Sequence, residues 1–232
     1  MPETTISATL LGKLAVDNCC ENCFWTRFYG KNMPFDHIPG SYSTYDKAEK
    51  LAVESYVAAG ITPPWMAQFG EIRRLIPAPH WSKFYFDHGG LRVRGVADMI
   101  CDMASGKLLL PDFKTAKFTE SQEKWIPVYT VQLGAYALAA ETQLIGMVER
   151  LVLIYMQPQA VGLTSDMQRD DGVAIHHKAF AVEVPRNDEE IHSLCDRAMK
   201  ILSGPPPPSQ SDCQDCQNFQ MVADLKKNGY QE

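Results

Sequence analysis

The sequence predicts a single mixed α/β domain, and three observations support this prediction. The chain has 232 residues, of which 45% are hydrophobic, a composition that suits one well-packed core. Segments rich in β-forming residues, such as KFYFDH and KLLLPDFKTA, lie between segments with helical features. Cysteine pairs of the form C-x-x-C stand near both ends of the chain. We therefore expect one globular unit whose two terminal regions come together.

The predicted elements follow one another along the whole chain. Four helices are predicted, at Ile6 to Tyr29, Thr44 to Ala59, Trp125 to Glu141 and Asp188 to Leu202. The second helix carries apolar residues near helical spacing, namely Ala48, Leu51, Ala52 and Tyr56. Five strands are predicted, at KFYFDH, LRVRGVADMICDM, KLLLPDFKTA, RLVLIYMQP and KAFAVEVP. The segment ASGK joins the second and third strands as a hairpin-length turn.

Charge and targeting features exclude several classes of protein. A net charge of −6 argues against a protein that coats duplex nucleic acid, because such binding needs many Lys and Arg side chains. The same charge is compatible with an enzyme that brings metal ions to a phosphate chain. The sequence contains neither an apolar run that could span a bilayer nor a signal-peptide pattern, so we expect a cytoplasmic protein without a membrane partner. Its seven cysteines are then thiols or metal ligands rather than disulfides.

Acidic residues interrupt two neighbouring predicted strands. Alternate side chains of a strand share one face, so Asp112 and Lys114 lie on one face and Phe113 on the other. If the strands pair across ASGK, Asp98 approaches Asp112 and Lys114 points into the same space. Two carboxylates and one ammonium at a strand end suit a hard divalent cation with a polarised water molecule. A lone Asp at such a position is more often a solvated or turn-capping residue, but the pair together with the D-x-K triplet favours a site.

The segments GVAD, PDFKT and QLGAY occur in this order and resemble motifs II, III and IV of the PD-(D/E)xK nuclease superfamily. The resemblance covers roughly residues 20–216 and is strongest to the RecB-like branch, which includes the CRISPR-adaptation exonucleases with a cysteine cluster. It implies a restriction-endonuclease-like αβββαβ core, with a mixed sheet flanked by helices. It also implies that Asp98 and Asp112, with the backbone carbonyl of Phe113, bind Mg²⁺ or Mn²⁺. Lys114 would orient the attacking water and stabilise charge.

Two further motifs of this superfamily are matched less closely. Gln132 and Tyr136 lie one helical turn apart and would hold the DNA strand or the active-site acids, although a Tyr at such spacing is usually a core residue. The superfamily's first motif often supplies a His or Glu from a helix before the sheet, and the matching helix here contains no His. Asp46 is our candidate for this ligand, with Glu54 behind it, and either residue is equally consistent with a solvated helix face. The number of catalytic metal ions stays open.

The two C-x-x-C pairs predict a second metal site. Cys20 and Cys23 form one pair and Cys213 and Cys216 the other, and four thiolates suit either Zn²⁺ or an iron–sulfur cluster. The spacing does not choose between them. The resemblance favours a [4Fe–4S] cluster, while the two-plus-two arrangement of the cysteines departs from the one-plus-three set common in that branch and keeps zinc as the alternative. The remaining cysteines are predicted to be buried or spare thiols, namely Cys19, Cys101 and Cys195.

These features together predict a single nuclease domain. Residues 1–40 and 204–232 form a cysteine clasp, and residues 41–203 form the catalytic core. The predicted function is that of a metal-dependent deoxyribonuclease, an exonuclease on single-stranded or frayed DNA ends. It would act in DNA repair or recombination, CRISPR adaptation or phage-type DNA processing, alone or with a protein partner. The alternative is a non-catalytic nucleic-acid-binding or assembly subunit that keeps the fold and the clasp. The intact Asp98, Asp112 and Lys114 argue against this alternative.

Overall fold

The computed structural model describes residues 4–30, 41–115, 119, 123–159 and 168–228. Within these residues the helices are α1 (Ala8–Gly12), α2 (Glu21–Gly30), α3 (Ser41–Ala58), α4 (Ile126–Thr142), α5 (Asp188–Leu202) and α6 (Gln214–Asn228). The strands are β1 (Thr4–Ser7), β2 (Ile72–Ile76), β3 (Tyr85–His88), β4 (Leu91–Arg94), β5 (Ile100–Met103), β6 (Leu108–Lys114), β7 (Val148–Pro158), β8 (Gln168–Arg169), β9 (Gly172–Val173) and β10 (His177–Val184). No helix of the described part of the chain is long and apolar enough to cross a membrane.

The central sheet has the strand order β10-β7-β6-β5-β2. Its β6 and β7 strands are parallel and are connected through α4, whereas the other neighbours are antiparallel. The predicted hairpin is present, because β5 and β6 pair with Cys101 opposite Leu109. A smaller mixed sheet of order β1-β4-β3 packs against α4 and α5. The mixed α/β architecture with helices beside mixed sheets is therefore confirmed.

Helices cover both faces of the central sheet, and alternate residues of its strands divide between two apolar clusters. On β6, Leu108 and Leu110 pack with α1, α4 and α5, while Leu109 and Phe113 pack with α3. The β7 strand follows the same alternation and is buried on both faces, as is usual for a parallel strand inside a sheet. The position of a residue on β6 thus determines which layer of helices its side chain faces. Asp112 and Lys114 alternate with Phe113 and therefore lie on the same face as Leu108 and Leu110, the face covered by α4.

The N-terminal region differs from the single helix predicted from Ile6 to Tyr29. Residues Thr4–Ser7 form β1, which pairs in parallel with β4, and Ser7 then caps α1 by accepting a hydrogen bond from the Leu10 N–H. The chain leaves the helical conformation at Val16, which is extended, and turns at Asn18, which has a φ of 56°, before α2 begins. The β-branched residues of the TTIS segment favour a strand, and this local preference outweighs the helical pattern that follows it. The start of the chain therefore contributes to the core beside β4.

The predicted strand LRVRGVADMICDM is two strands in different sheets. Its first part is β4 and its second part is β5, with residues 95–99 between them. A Cβ atom at Gly95 would overlap the ring of Tyr136 on α4, so the chain approaches this helix closely where it leaves the small sheet. Gly is the residue type that permits such an approach. The break between the sheets leaves Asp98 outside the regular ladder and close to the end of β6.

Candidate active site

Asp98 and Asp112 meet at one end of the central sheet. Continuing the β5–β6 register past Ile100 places Asp98 opposite Asp112, and the Phe113 N–H donates a hydrogen bond of 2.9 Å to Oδ2 of Asp98. Lys114 follows two positions along β6, on the same face as Asp112. The structure therefore brings Asp98, Asp112 and Lys114 together, as the strand pattern predicted.

Asp112 is buried, with only 3% of its surface exposed. Its Oδ1 accepts a hydrogen bond of 3.2 Å from Gln132, and its Oδ2 lies 2.5 Å from the Lys114 ammonium. Burial raises the pKa of Asp112 to about 6, because the positive charge of Lys114 offsets only part of the lost hydration and the Asp98 carboxylate adds to the rise. Oδ2 is itself buried, and its close polar contact is the ion pair with Lys114. The carboxylate is thus held from two sides, by Gln132 at Oδ1 and by Lys114 at Oδ2.

Helix α4 supplies the inner wall of the site. Gln132 Nε2 donates hydrogen bonds to Oδ1 of Asp112 and, at 3.0 Å, to the hydroxyl of Tyr136. Both side chains are buried, with exposures of 7% and 5%, and burial raises the pKa of Tyr136 to about 12. Of the two predicted functions for this pair, the geometry favours bracing of the acids over contact with a DNA strand. Sequence reasoning missed Tyr129, one turn earlier, whose ring lies 3.9 Å from the Lys114 ammonium.

Helix α3 approaches the site from the other face of the sheet and contributes a lysine that the sequence analysis did not single out. Lys50 Nζ lies 2.8 Å from Oδ1 of Asp98 and 2.8 Å from Oδ2 of Asp46. Burial opposes its charge, but the hydrogen bonds that it donates to both carboxylates, together with their negative charges, outweigh this effect and raise the pKa of Lys50. Asp46, the predicted first-motif ligand, therefore connects to Asp98 through this ammonium. Glu54, predicted to lie behind Asp46, is exposed.

The buried acid of α3 is Glu49, which is 6% exposed. Both of its oxygens lie 3.2 Å from the Thr115 hydroxyl, and Oε1 lies 3.5 Å from Nδ1 of His177. Burial raises the pKa of Glu49 to about 7, and this effect outweighs the hydrogen bond from Thr115 and the charge of Lys50, which lower the pKa, while the negative charges of Asp46 and Asp98 add to the rise. A buried acid at the end of this sheet is a stronger candidate for the first-motif position than the half-exposed Asp46.

A sequence signal for Glu49 existed in the spacing of α3. The residues Glu49, Val53 and Val57 recur at intervals of four and form the buried stripe of the helix. Of the apolar residues noted at helical spacing, Ala52 and Tyr56 are half-buried beside this stripe, whereas Ala48 and Leu51 are exposed. The valines pack against the central sheet, and this contact turns Glu49 inward. An acid on an apolar stripe is the pattern that would have identified it.

The oxygen donors at this end of the sheet fit a hard divalent cation. Such cations take carboxylate and carbonyl oxygens as ligands, and the carboxylates of Asp98 and Asp112 face the same space, with Glu49 on the α3 side. Oδ2 of Asp112 would exchange its ion pair with Lys114 for the cation. Lys50 and Lys114 supply the balancing positive charge in the structure itself.

The four cysteines of the C-x-x-C pairs form a separate cluster. Their Sγ atoms all lie within 4.8 Å of one another, and Cys23 approaches both Cys213 and Cys216 at 3.5 Å. Each pair occupies the start of a helix: Cys20 and Cys213 directly precede α2 and α6, and their partners lie in the first turn. Burial opposes the ionisation of Cys20, but hydrogen bonds from the backbone N–H groups of Cys23 and Gln210 lower the pKa of this thiol.

The spacing of these sulfurs matches a single tetrahedral ion. Thiolates bound to one Zn²⁺ at about 2.3 Å stand about 3.8 Å apart in a tetrahedron, and this cluster has three separations of 3.5 Å and none above 4.8 Å. In a [4Fe–4S] cluster each thiolate binds a different iron, so the sulfurs must stand further apart to make room for the metal atoms between them. The donor set suits both groups, but the observed geometry fits the single ion more closely.

The other cysteines lie outside this cluster. Cys101 and Cys195 are fully buried among apolar residues, and burial raises the pKa of each thiol to about 12. Both are therefore buried thiols, as predicted. Cys19 is half-buried beside the cluster. The two helices of the cluster are also tied together by an ion pair of 3.2 Å between Arg27 and Asp215.

Comparison with known proteins gives one family match. A family model described as the PD-(D/E)XK nuclease superfamily matches residues 33–219, which is more than half of the chain. The matched range contains the acids at the end of the sheet and the second cysteine pair, and it excludes the first pair. No curated protein matches the chain. A solved structure described as "Crystal structure of SSO0001" is 16% identical, with coverage of 89% of this chain and 81% of that chain and a TM-score of 0.46.

Proposed function

The chain belongs to the PD-(D/E)XK nuclease superfamily, and from this premise we propose that it is a divalent-metal-dependent deoxyribonuclease acting on single-stranded or frayed DNA ends. The observation that supports catalysis is the meeting of Asp98, Asp112 and Lys114 at one end of the sheet. A module that only binds nucleic acid has no use for two acids and a lysine in this arrangement. Members of this superfamily are generally metal-dependent nucleases, which agrees with the oxygen donors present.

We assign the roles as follows. Asp98, Asp112 and the Phe113 carbonyl hold Mg²⁺ or Mn²⁺, with Glu49 rather than Asp46 as the further acid. When bound, the cation supplies positive charge at the scissile phosphate and makes a coordinated water molecule more acidic. Lys114 orients the attacking water and stabilises the charge that develops on the phosphate oxygens.

Two residues of α4 position this machinery rather than react. Gln132 fixes the orientation of Asp112 through its amide, and Tyr136 in turn fixes Gln132. Tyr129 limits the freedom of the Lys114 ammonium by cation–π contact. Because these supports come from a buried helix, the site is preorganised before substrate arrives.

The preference for free or single-stranded ends rests on charge and size. The net charge of −6 gives little attraction for a long duplex, so contact with the phosphate chain is local. The described residues form the central sheet, the smaller three-stranded sheet and the two-stranded β8–β9 pair, without a separate domain that reads a sequence in a groove. We therefore favour an exonuclease in DNA processing over a sequence-specific endonuclease.

The decisive test uses end-labelled single-stranded DNA with purified protein, with and without Mg²⁺ or Mn²⁺. Asp112→Ala and Lys114→Ala should each reduce the cleavage rate by at least about 100-fold, because each removes a group used in the chemistry. Asp102→Ala is the matched control, since Asp102 lies on the neighbouring strand β5 and pairs with Arg74. Wild-type rates in both active-site variants would refute the assignment. DNA binding without any cleavage by the wild-type protein would favour the non-catalytic alternative.

The cysteine cluster is proposed as a structural metal site that ties α2 to α6. Its sulfur spacing supports one Zn²⁺ ion over the [4Fe–4S] cluster that the resemblance favoured. Elemental analysis of protein purified without oxygen or chelators should give about one zinc per chain and a colourless solution. Brown protein containing iron and sulfide would reverse this choice. Cys23→Ser should release the metal, whereas Cys101→Ser should leave it bound.

A further inference from the structure

A large cavity lies directly beside the candidate active site, on its α3 side. Its volume is about 930 Å³, and it lies between α3 and the paired ends of β7 and β10. Glu49 forms part of its wall, so the cavity and the acidic cluster share a residue. Neither the sequence motifs nor the proposed catalytic roles use this space.

The lining of the cavity combines aromatic rings with polar side chains. Tyr45 and Trp65 line it, and the Trp65 ring is held edge-on against Tyr56 with centroids 5.4 Å apart. The Tyr45 ring also lies against the ring of His177, with centroids 5.5 Å apart. Groups that can form hydrogen bonds are supplied by Thr44, Glu49 and His177. A ligand with both an aromatic face and a polar edge therefore suits this lining better than a purely apolar one.

We infer that this cavity receives an unpaired nucleobase of the DNA strand that is cut at the adjacent acids. A base presents an aromatic face for stacking and a polar edge for hydrogen bonds, and these match the rings and the polar side chains of the lining. The volume lies within the range of small-ligand pockets.

A base inside a duplex is stacked and paired, and it reaches such a cavity only after it leaves the helix. The cavity therefore selects single-stranded or frayed ends. The inference rests on the proposed function and specifies how the same site chooses its substrate.

The charge of the surroundings agrees with a base rather than a phosphate as the occupant. Glu49 stands at the wall of the cavity, and a carboxylate repels a phosphate that is not bridged by a cation. The phosphate chain would instead pass the acids where the divalent cation is proposed. Lys178, an exposed cation at the rim, is placed to contact a neighbouring phosphate.

The test measures binding without divalent metal, so that it is independent of cleavage. A labelled oligothymidylate is titrated with wild-type protein and with the Trp65→Ala variant in the presence of a chelator. We expect Trp65→Ala to weaken binding by about 5- to 150-fold, the range that stacking on one aromatic side chain gives. The control is Trp81→Ala, an exposed tryptophan outside the cavity lining, which should bind like the wild type.

An oligonucleotide with abasic sites supplies the second arm, and it needs no variant that could misfold. Wild-type protein should bind the abasic strand more weakly than the normal strand, and Trp65→Ala should bind the two strands alike. Ala48→Phe, which narrows the mouth of the cavity from α3, provides a further variant that leaves Trp65 in place.

The outcomes separate the two ideas. If wild-type protein cleaves single strands but binds normal and abasic strands equally, the cavity assignment is overturned and the nuclease stands. If the wild-type protein binds the normal strand more tightly than the abasic strand but does not cleave DNA in the presence of metal, the nuclease assignment fails while the assignment of the cavity as a nucleobase site stands. Equal affinities of folded Trp65→Ala and wild-type protein for the normal strand would also overturn the assignment of the cavity.

Discussion

Replacing Gln132 by leucine should raise the pKa of the Asp112 carboxyl group. The substitution keeps the size of the side chain but removes the amide that donates to Oδ1 of Asp112 at 3.2 Å. A hydrogen bond to a charged group contributes about 1.5–3 kcal/mol, and each pKa unit corresponds to about 1.4 kcal/mol. Loss of this bond disfavours the carboxylate, so the pKa of Asp112 should rise by about 1 to 2 above its already raised value of about 6.

This change has a defined consequence for metal binding near neutral pH. A carboxyl group whose pKa lies above 7 is mostly protonated at pH 7, and a protonated carboxyl is a poor cation ligand. The variant should therefore bind Mn²⁺ about 2- to 10-fold more weakly than the wild type at pH 7 and should approach wild-type affinity near pH 9. Stability should fall by about 1–3 kcal/mol, because both the Asp112 carboxylate and the Tyr136 hydroxyl lose a partner while the packing volume is kept.

The assay is a ¹³C NMR titration of the aspartate carboxyl groups in metal-free protein, with Asp112→Asn used to identify the resonance. Gln143→Leu serves as the matched control, since Gln143 follows the end of the same helix and donates to the backbone carbonyl of Tyr85. An Asp112 pKa that is unchanged or lower in Gln132→Leu would refute the bracing role of this amide.

Three further predictions follow from the packing and the charges. Gly95→Ala should destabilise the protein by about 1–3 kcal/mol because its new methyl group overlaps Tyr136, whereas Gly172→Ala, which has open space around it, should leave the melting temperature unchanged. Arg186→Met should lower the free energy of unfolding by about 1–3 kcal/mol at pH 7, because Arg186 makes a bidentate contact with Glu141 and lowers the pKa of that carboxyl. A carboxyl group whose pKa is lower in the folded protein than in the unfolded chain stabilises the fold at pH values above the unfolded-state pKa, and this stabilisation is lost as the pH falls. The free energies of unfolding of wild type and variant, measured by urea titration, should therefore converge below about pH 4. A difference between them that does not change with pH would contradict the ion pair. The buried carboxyl groups of Asp112 and Glu49, whose pKa values are raised to about 6 and about 7, must lose their protons before a cation binds. Calorimetry should therefore record a Mn²⁺ affinity that rises from pH 5 to pH 8. An affinity that does not change over this range would exclude the two groups as ligands.

Local sequence patterns were sufficient for much of the central sheet. Its β5–β6 hairpin follows from ASGK between two β-rich segments, and β7 and β10 follow from runs of β-branched and aromatic residues. The strands β1 and β2 were not predicted. The pairing of Thr4 with Leu91 joins residues far apart in sequence, and no local pattern encodes such a register. The division of the LRVRGVADMICDM segment depends on contact of Gly95 with a helix that follows later in the chain.

The candidate site divides in the same way. Asp98, Asp112 and Lys114 could be predicted to meet because the two-residue period of strands and a short hairpin determine their geometry. Glu49 and Lys50 were missed because their contacts depend on the rotation of α3 against the sheet, which the valines of its buried stripe determine. The distances between the sulfur atoms of the cysteine cluster likewise depend on how α2 packs against α6. The C-x-x-C spacing in the sequence contains no information about this packing.

The separation of the two cysteine pairs along the chain imposes an order on biosynthesis. Cys23 and Cys213 are 190 residues apart, so a ribosome completes both sheets before the second pair leaves the exit tunnel. Until then the first pair offers only two thiols at the start of α2, too few to enclose an ion. The four-sulfur centre can therefore form only as a late event, after the strands and helices between the pairs have been made. A chain truncated before α6 would retain every acid at the end of the sheet, yet its N-terminal thiols would stay open to oxidation.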